Sequence, residues 1–237
     1  MIVYFSGTGN SRSVAFKLGR EGEKIVEWNE DLAKIEDERL GIVFPVYSGD
    51  MPAGLIGSLR RAKISAKYVF AVATAGDSAG RSLNSAAYLM REKGLKLDYA
   101  ACLKMPDSCI MFPTSEAEKR KLLDSEEERV SKIASELEAH AEKTVAPKKP
   151  FGFGTRAMWY LFRRVAGKIA YKSAGAECVM CMLCVNECPV KNIEVKDGAI
   201  SFKGACEDCY RCIQSCPVRA IRFGKLKVTD KTYYKHP

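Results

Sequence analysis

Eight of the ten cysteines stand in two runs, C-V-M-C-M-L-C-V-N-E-C-P from Cys178 and C-E-D-C-Y-R-C-I-Q-S-C-P from Cys206. Each has the spacing C-x-x-C-x-x-C-x-x-x-C-P, and the second repeats the first 28 residues on (206 − 178 = 216 − 188 = 28). Three thiolates so spaced can wrap one face of a cubane, because the chain turns between them and presents backbone N–H groups to the sulfurs. The fourth Cys lies beyond reach of that cubane and completes the other, and its Pro ends the turn. The spacing assigns Cys178, Cys181, Cys184 and Cys216 to one [4Fe–4S] cluster and Cys206, Cys209, Cys212 and Cys188 to a second. A pair of zinc knots would favour separated C-x-x-C pairs. Disulfides would need a secreted setting that nothing in the sequence indicates.

The flanks repeat as well, C-P-V-K-N-I-E-V after the first run and C-P-V-R-A-I-R-F after the second. From Ala176 to Val228 the chain resembles the two-cluster bacterial ferredoxins, which implies a small α+β domain.

At the other end, the apolar run Met1 to Phe5 is followed by S-G-T-G-N-S (Ser6 to Ser11) and a helical stretch that stops at Gly19. Strand, tight Gly/Ser/Thr loop and helix form a phosphate cradle. Glycines let the backbone approach, N–H groups and hydroxyls donate, and the helix N-terminus favours an anion. The loop lacks the Lys of a Walker A motif, and a dinucleotide fingerprint would want a third Gly near Arg12. It resembles the FMN-phosphate loop of flavodoxins, [ST]-x-T-G-x-[ST]. That resemblance implies Ser6, Thr8, Asn10 and Ser11 as polar donors, with Gly7 and Gly9 between them.

The elements that must position this loop alternate along the chain. Strand patterns at Lys24–Trp28, Leu40–Tyr47, Lys67–Ala73 and Leu95–Leu103 interleave with helical ones at Ala53–Arg61 and Ser82–Lys93. A long helix follows from Ser115 to about Lys143, opened by a Ser115/Glu118 capping box. This predicts a doubly wound parallel sheet of five strands, with ligands outside the strands' carboxyl ends. The flavodoxin resemblance implies the order 2-1-3-4-5 and three ligand loops. Besides Ser6–Ser11 these are Pro45 and Tyr47–Pro52, offering Tyr47, Ser48 and Gly49, and Thr74–Gly80, offering Thr74, Ala75, Gly76 and Gly80. Tyr47 could stack on the ring or cap its strand. The third loop has no aromatic, so one flavin face would be covered by backbone, by Met51 or by Met105–Phe112, or left open to a partner or the cluster domain.

The expected organisation is residues 1–143 for the FMN-binding domain, 144–175 for a linker and helix, and 176–237 for the cluster domain. Thr144–Gly154 is rich in Pro and Gly. Its G-F-G-T-R-A follows no strand, so it makes no nicotinamide site. Arg156 to Lys172 reads as an amphipathic helix that packs the two domains together, with Lys172 on its charged side. Cys102 and Cys109 read as small buried hydrophobes, His140 as a helix-surface residue and His236 as a tail residue.

The net charge of +9 is unevenly placed. From Thr144 onward 17 Lys/Arg face 7 Asp/Glu, or +10, whereas the preceding residues carry 21 against 22, or −1. Two oxidised clusters with their thiolates would bring about −4, offsetting part of the excess. The remainder could steer an acidic redox partner. No aromatic-studded basic groove argues for nucleic acid, and no apolar run has transmembrane length. With no signal-peptide pattern at the N-terminus, a cytoplasmic protein is expected.

The two halves together resemble the flavodoxin–ferredoxin fusion proteins of anaerobic bacteria and archaea. The resemblance implies an electron carrier between two [4Fe–4S] clusters, FMN and a redox protein that is donor or acceptor. The alternatives are an FMN-dependent reductase of a small acceptor, quinone or disulfide, and a sensor whose clusters respond to redox state or oxygen.

Overall fold

The computed structural model describes residues 1–28, 33–151 and 172–237. The first unit carries five parallel strands, β1 (Ile2–Tyr4), β2 (Ile25–Glu27), β3 (Lys34–Pro45), β4 (Lys63–Ala75) and β5 (Tyr99–Lys104), in the order β2-β1-β3-β4-β5. With its crossover helices this is the flavodoxin-like α/β fold, as the sequence pattern predicts.

Strand periodicity builds the two faces. Ile2 and Tyr4 point one way with Tyr68, Phe70 and Val72, and meet α1 (Asn10–Leu18) through Val14, Ala15 and Leu18. The same face meets α5 (Glu126–Glu138) through Val130, Ile133 and Leu137. Val3 and Phe5 point the other way with Ile42, Phe44, Val69 and Ala71. There they pack on α2 (Ala53–Arg61) and α3 (Ser82–Glu92) through Leu55, Leu59, Ala86 and Met90. Met51 is buried in this second core.

Three elements differ from the sequence pattern. β3 and β4 begin early, at Lys34 and Lys63, as a two-stranded ribbon. Lys34–Asp37 pair with Lys63–Ala66, whereas β1 joins only from Gly41. With no third strand alongside among the described residues, charged residues are tolerated there and only Ile35 is fully buried. The expected long helix is two, α4 (Glu116–Asp124) and α5, broken at Ser125. The Ser125 hydroxyl donates to the Lys121 carbonyl, and Arg129 takes the carbonyls of Leu122 and Ser125, so the helix end is capped by side chains. Ser115 does accept from the Glu118 N–H, but the Glu118 carboxylate pairs with Lys104.

The expected linker is tied down where described. The Asn84 side-chain amide donates to the Ala146 carbonyl, the Lys148 N–H donates to the Asn84 carbonyl, and the Phe151 N–H donates to Asp50 at 2.9 Å. The amphipathic-helix expectation for 156–171 lies outside the described residues. Lys172 itself opens a strand, β6 (Lys172–Ala174), and is buried.

The cysteine-rich unit is a small α+β arrangement that repeats at the same interval as its sequence. One-turn helices α6 (Leu183–Asn186) and α7 (Arg211–Gln214) are 28 residues apart. Strands β7 (Ile193–Lys196) and β8 (Ala199–Phe202) form one hairpin, and β9 (Ile221–Phe223) and β10 (Leu226–Lys227) form another that β6 extends. Left-handed residues recur in step, Met180 with Asp208, Met182 with Tyr210 and Lys191 with Arg219. Non-glycine residues in that region carry strain and cluster where function over-determines the backbone. Among the described residues no helix is long and apolar enough to cross a membrane.

Candidate functional site

The carboxyl ends of the strands and the second cysteine run enclose one cavity of about 540 Å³. Its polar end is the first loop, with Ser6, Gly7, Thr8, Asn10 and Ser11. Pro45, Val46, Tyr47 and Ser48 line it from β3, and Thr74, Ala75 and Gly76 from β4. The loop after β5 supplies Pro106, Asp107, Ser108, Cys109, Met111 and Phe112, and the cysteine unit adds Asp208, Tyr210 and Phe223.

The first loop is shaped for an anion. α1 opens at Gly9, whose φ of 107° only glycine adopts readily, and no side chain caps that helix end. The Ser6 hydroxyl accepts from the Gly9 N–H, and the Ser11 hydroxyl meets that of Thr74 at 2.8 Å. Asn10 lines the cavity while its amide donates to the Pro106 carbonyl and its oxygen accepts from the Tyr234 hydroxyl. Gly9 faces a second cavity on the outer side of the same loop, lined by Arg12, Lys17, Arg211, Lys235 and His236. Glu27 and Glu187 line it too, and Arg211, Lys17 and His236 are paired with Glu27 and Glu126.

Of the sheet-end residues singled out in the sequence, Gly49 and Gly80 do not line the cavity. They hold two loops together: Gly80, at φ 53°, lies so close that a Cβ there would sit 2.4 Å from the Gly49 carbonyl oxygen. The Arg81 N–H donates to that oxygen. Met51, a candidate cover, is in the core instead. Tyr47 does line the cavity, but its ring stands edge-on to Phe5 with centroids 6.0 Å apart. Burial, then the nearby Cys209, pushes its hydroxyl pKa well above the usual tyrosine range.

The cysteines gather as two separate groups. Cys178, Cys181, Cys184 and Cys216 line one small cavity with Val179 and Val218. Cys188, Cys206, Cys209 and Cys212 line another with Lys172, Asn192 and Phe202. Backbone N–H groups point at the sulfurs in the same repeat, Asn192 to Cys188 and Ala220 to Cys216, both at 3.2 Å, and Asp208 to Cys206 at 3.3 Å. Burial pushes the thiol pKa of Cys209 up to about 11 and that of Cys212 up to about 12. Among the described residues no group of three or more His, Cys, Asp or Glu side chains is gathered as one metal ion would require.

The groups sit differently. Cys181 and Val179 of the first are exposed. The second is pressed against the first loop, and a Cβ on Gly7 would lie 2.3 Å from the Cys209 carbonyl oxygen. Arg211, between Cys209 and Cys212, donates to the Ser6 carbonyl and to Glu27. Glu207 accepts from the N–H groups of Ala53 and Gly54 at the start of α2, at 2.8 and 2.5 Å. Lys172 stands 2.7 Å from the Cys206 sulfur and 3.4 Å from Asp208. Burial opposes the charge on Lys172, but Cys206 and Asp208 outweigh it and hold its pKa above the ordinary lysine value.

Two features lack a sequence signal. The chain's last residues fold over the first loop: the His236 N–H donates to the Thr8 carbonyl, and its ring meets buried Glu126 at 2.7 Å. His236 is thus an anchor, while His140 is exposed as expected. Of the two remaining cysteines, Cys102 is exposed on edge strand β5. Cys109 lines the main cavity with its sulfur 3.5 Å from the Tyr210 hydroxyl.

No family model and no curated protein matches the chain. Among solved structures it is similar to the rubredoxin oxygen:oxidoreductase of Desulfovibrio gigas, at 17% identity and a TM-score of 0.38, over 59% of this chain and 36% of that one. It is also similar to an FMN-dependent NADH-azoreductase of Bacillus anthracis in complex with FMN (10% identity, TM-score 0.37, 57% and 98% of the two chains). A flavodiiron protein of Giardia intestinalis is similar at 12% identity and a TM-score of 0.31, over 59% and 37%.

Proposed function

We propose that this chain is an electron-transfer iron–sulfur flavoprotein that passes electrons between two [4Fe–4S] clusters and FMN, and on to a redox partner. When bound, the clusters supply one-electron carriers and FMN a centre that exchanges one or two electrons. The observation that carries the reading is the shared wall. Asp208 and Tyr210, inside the second cysteine run, line the cavity that the sheet-end loops build, and Cys209 touches Gly7 of the first loop.

The donors fit the groups. Ser6, Thr8 and Ser11, with the uncapped start of α1, would hold a phosphate. Pro45, Tyr47, Ala75 and Tyr210 would flank a flat, largely apolar ring. Four thiols around a cavity, with one backbone N–H aimed at sulfur in the first set and two in the second, suit a cluster. A tetrahedral zinc with Zn–S of about 2.3 Å would draw its sulfurs to a point. The second run would serve the cavity. The first, with Cys181 and Val179 exposed, would face a partner.

A reductase reading is favoured by one observation: Met111 and Phe112, exposed on the cavity's rim, leave it accessible to a small acceptor such as a quinone or disulfide. Anaerobic reconstitution of Cys184→Ser and Cys212→Ser tests the ligand sets. Each should lose about four irons and keep its flavin. Full iron in both would refute the assignment.

A further inference from the structure

The 28-residue repeat would make the two cysteine groups equivalent, but the structure does not. Cys206 accepts a hydrogen bond from the Lys172 ammonium at 2.7 Å, and that lysine side chain is only 5% exposed. Cys178, the counterpart of Cys206, has a methionine sulfur, Met180 Sδ, at 3.9 Å. Among the described residues no lysine or arginine hydrogen-bonds a cysteine of the first group. Arg222, which reaches Glu177 just before that run, is paired with its carboxylate at 2.7 Å. The second group also has Arg211 within its run, where the first has Leu183. Asp208 lies 3.4 Å from Lys172 and offsets part of its charge, and the Tyr210 ring lies 5.5 Å from the ammonium on the cavity side.

Adding one electron to a cluster with four thiolates takes its charge from about −2 to about −3. A cation hydrogen-bonded to a ligating sulfur stabilises the more negative state, and a buried one is little screened. We infer that Lys172 orders the two clusters, holding the one beside the cavity at a higher reduction potential than the solvent-facing one. This rests on the two-cluster reading above. Electrons arriving at the Cys181 side would then run downhill toward the cavity.

The experiment is an anaerobic redox titration of the reconstituted full chain, followed by absorbance and by the paramagnetic signals of the reduced clusters. The wild type should show two resolved midpoints. Lys172→Gln, which keeps a hydrogen-bond donor but removes the charge, should lower the upper one while leaving the lower in place. The reduced-to-oxidised ratio at fixed poise should fall at least tenfold, about 59 mV for one electron. Lys172→Arg should keep both midpoints near wild type. Equal shifts of both midpoints, or none, would overturn the inference alone. So would loss of the second cluster from both Lys172→Gln and Lys172→Met, which would make Lys172 an assembly residue. A wild type that takes up no clusters would overturn the two-cluster reading and the inference with it.

Discussion

Gly7→Ala probes the junction between the two units with a single methyl group. The backbone at Gly7 lies outside the left-handed region, so alanine meets no conformational obstacle there. What it meets is the Cys209 carbonyl oxygen at 2.3 Å and the Tyr47 hydroxyl at 2.6 Å. Ordinary contact begins near 3.4 Å, so the two loops must part by about 1.1 Å (3.4 − 2.3). The obstructing atom is backbone and cannot swing away as a side chain would. Overpacking of this kind costs ~1–3 kcal/mol, which for a chain of this length lowers the melting temperature by about 2–12 °C. The assay is a thermal melt paired with amide hydrogen exchange. Exchange should quicken at residues 209–214 and in the first loop, while α3 and β4 keep their protection. An unchanged melt together with unchanged exchange at 209–214 would refute the contact between the cysteine run and the first loop.

Other perturbations follow from the same contacts. Glu207→Ala removes the carboxylate from the start of α2 and should cost about 1 kcal/mol, the size of a lost helix cap, read by chemical unfolding. The His236–Glu126 pair gives the docked tail a pH window. Burial opposes the charge on His236, but Glu126 raises its pKa above 6.5, so its contribution is complete below that value and fades as pH rises through the folded pKa. Burial also opposes the charge on Glu126, but His236, Ser13 and Lys17 lower its pKa to about 2, so its contribution is present above 4.5 and lost toward about 2. His236→Gln should remove the loss of stability expected in denaturant titrations as pH rises above 6.5; an unchanged pH profile would remove the pair from the account. Gly57→Ala lies inside α2, where the added methyl meets only the flexible end of Arg61 at 3.3 Å. It should stabilise by ~0.5–1 kcal/mol, and a lower melting temperature would contradict the packing of α2.

The sheet was legible because its signals are local. Runs such as Tyr68–Ala73 are buried on both faces, and the alternation with helices dictates parallel pairing. The gathering of eight cysteines around two cavities follows the spacing of their repeat. The misses are long-range. Nothing near Tyr234 or His236 indicates that they close over residues more than 220 positions earlier. Nothing in S-G-T-G-N-S says that its first glycine makes room for a cysteine carbonyl. Lys172 fitted a helical period, but its neighbours Cys206 and Asp208 are brought to it by the fold. Met51 and Gly80 sit in loops that face the cavity, yet packing turned one into the core and set the other against Gly49. Ser125 broke a smooth apolar period because Arg129 gathers the carbonyls there.

The central claim is that one chain joins two clusters to a flavin across a shared wall. The most direct measurement is an anaerobic absorbance spectrum of the reconstituted protein, recorded first as isolated, then with pyridine nucleotide, then with reduced ferredoxin. Both flavin and iron–sulfur bands should be present, pyridine nucleotide should leave them unchanged, and reduced ferredoxin should bleach both. Clusters without flavin, or flavin that stays oxidised while the clusters bleach, would contradict the account.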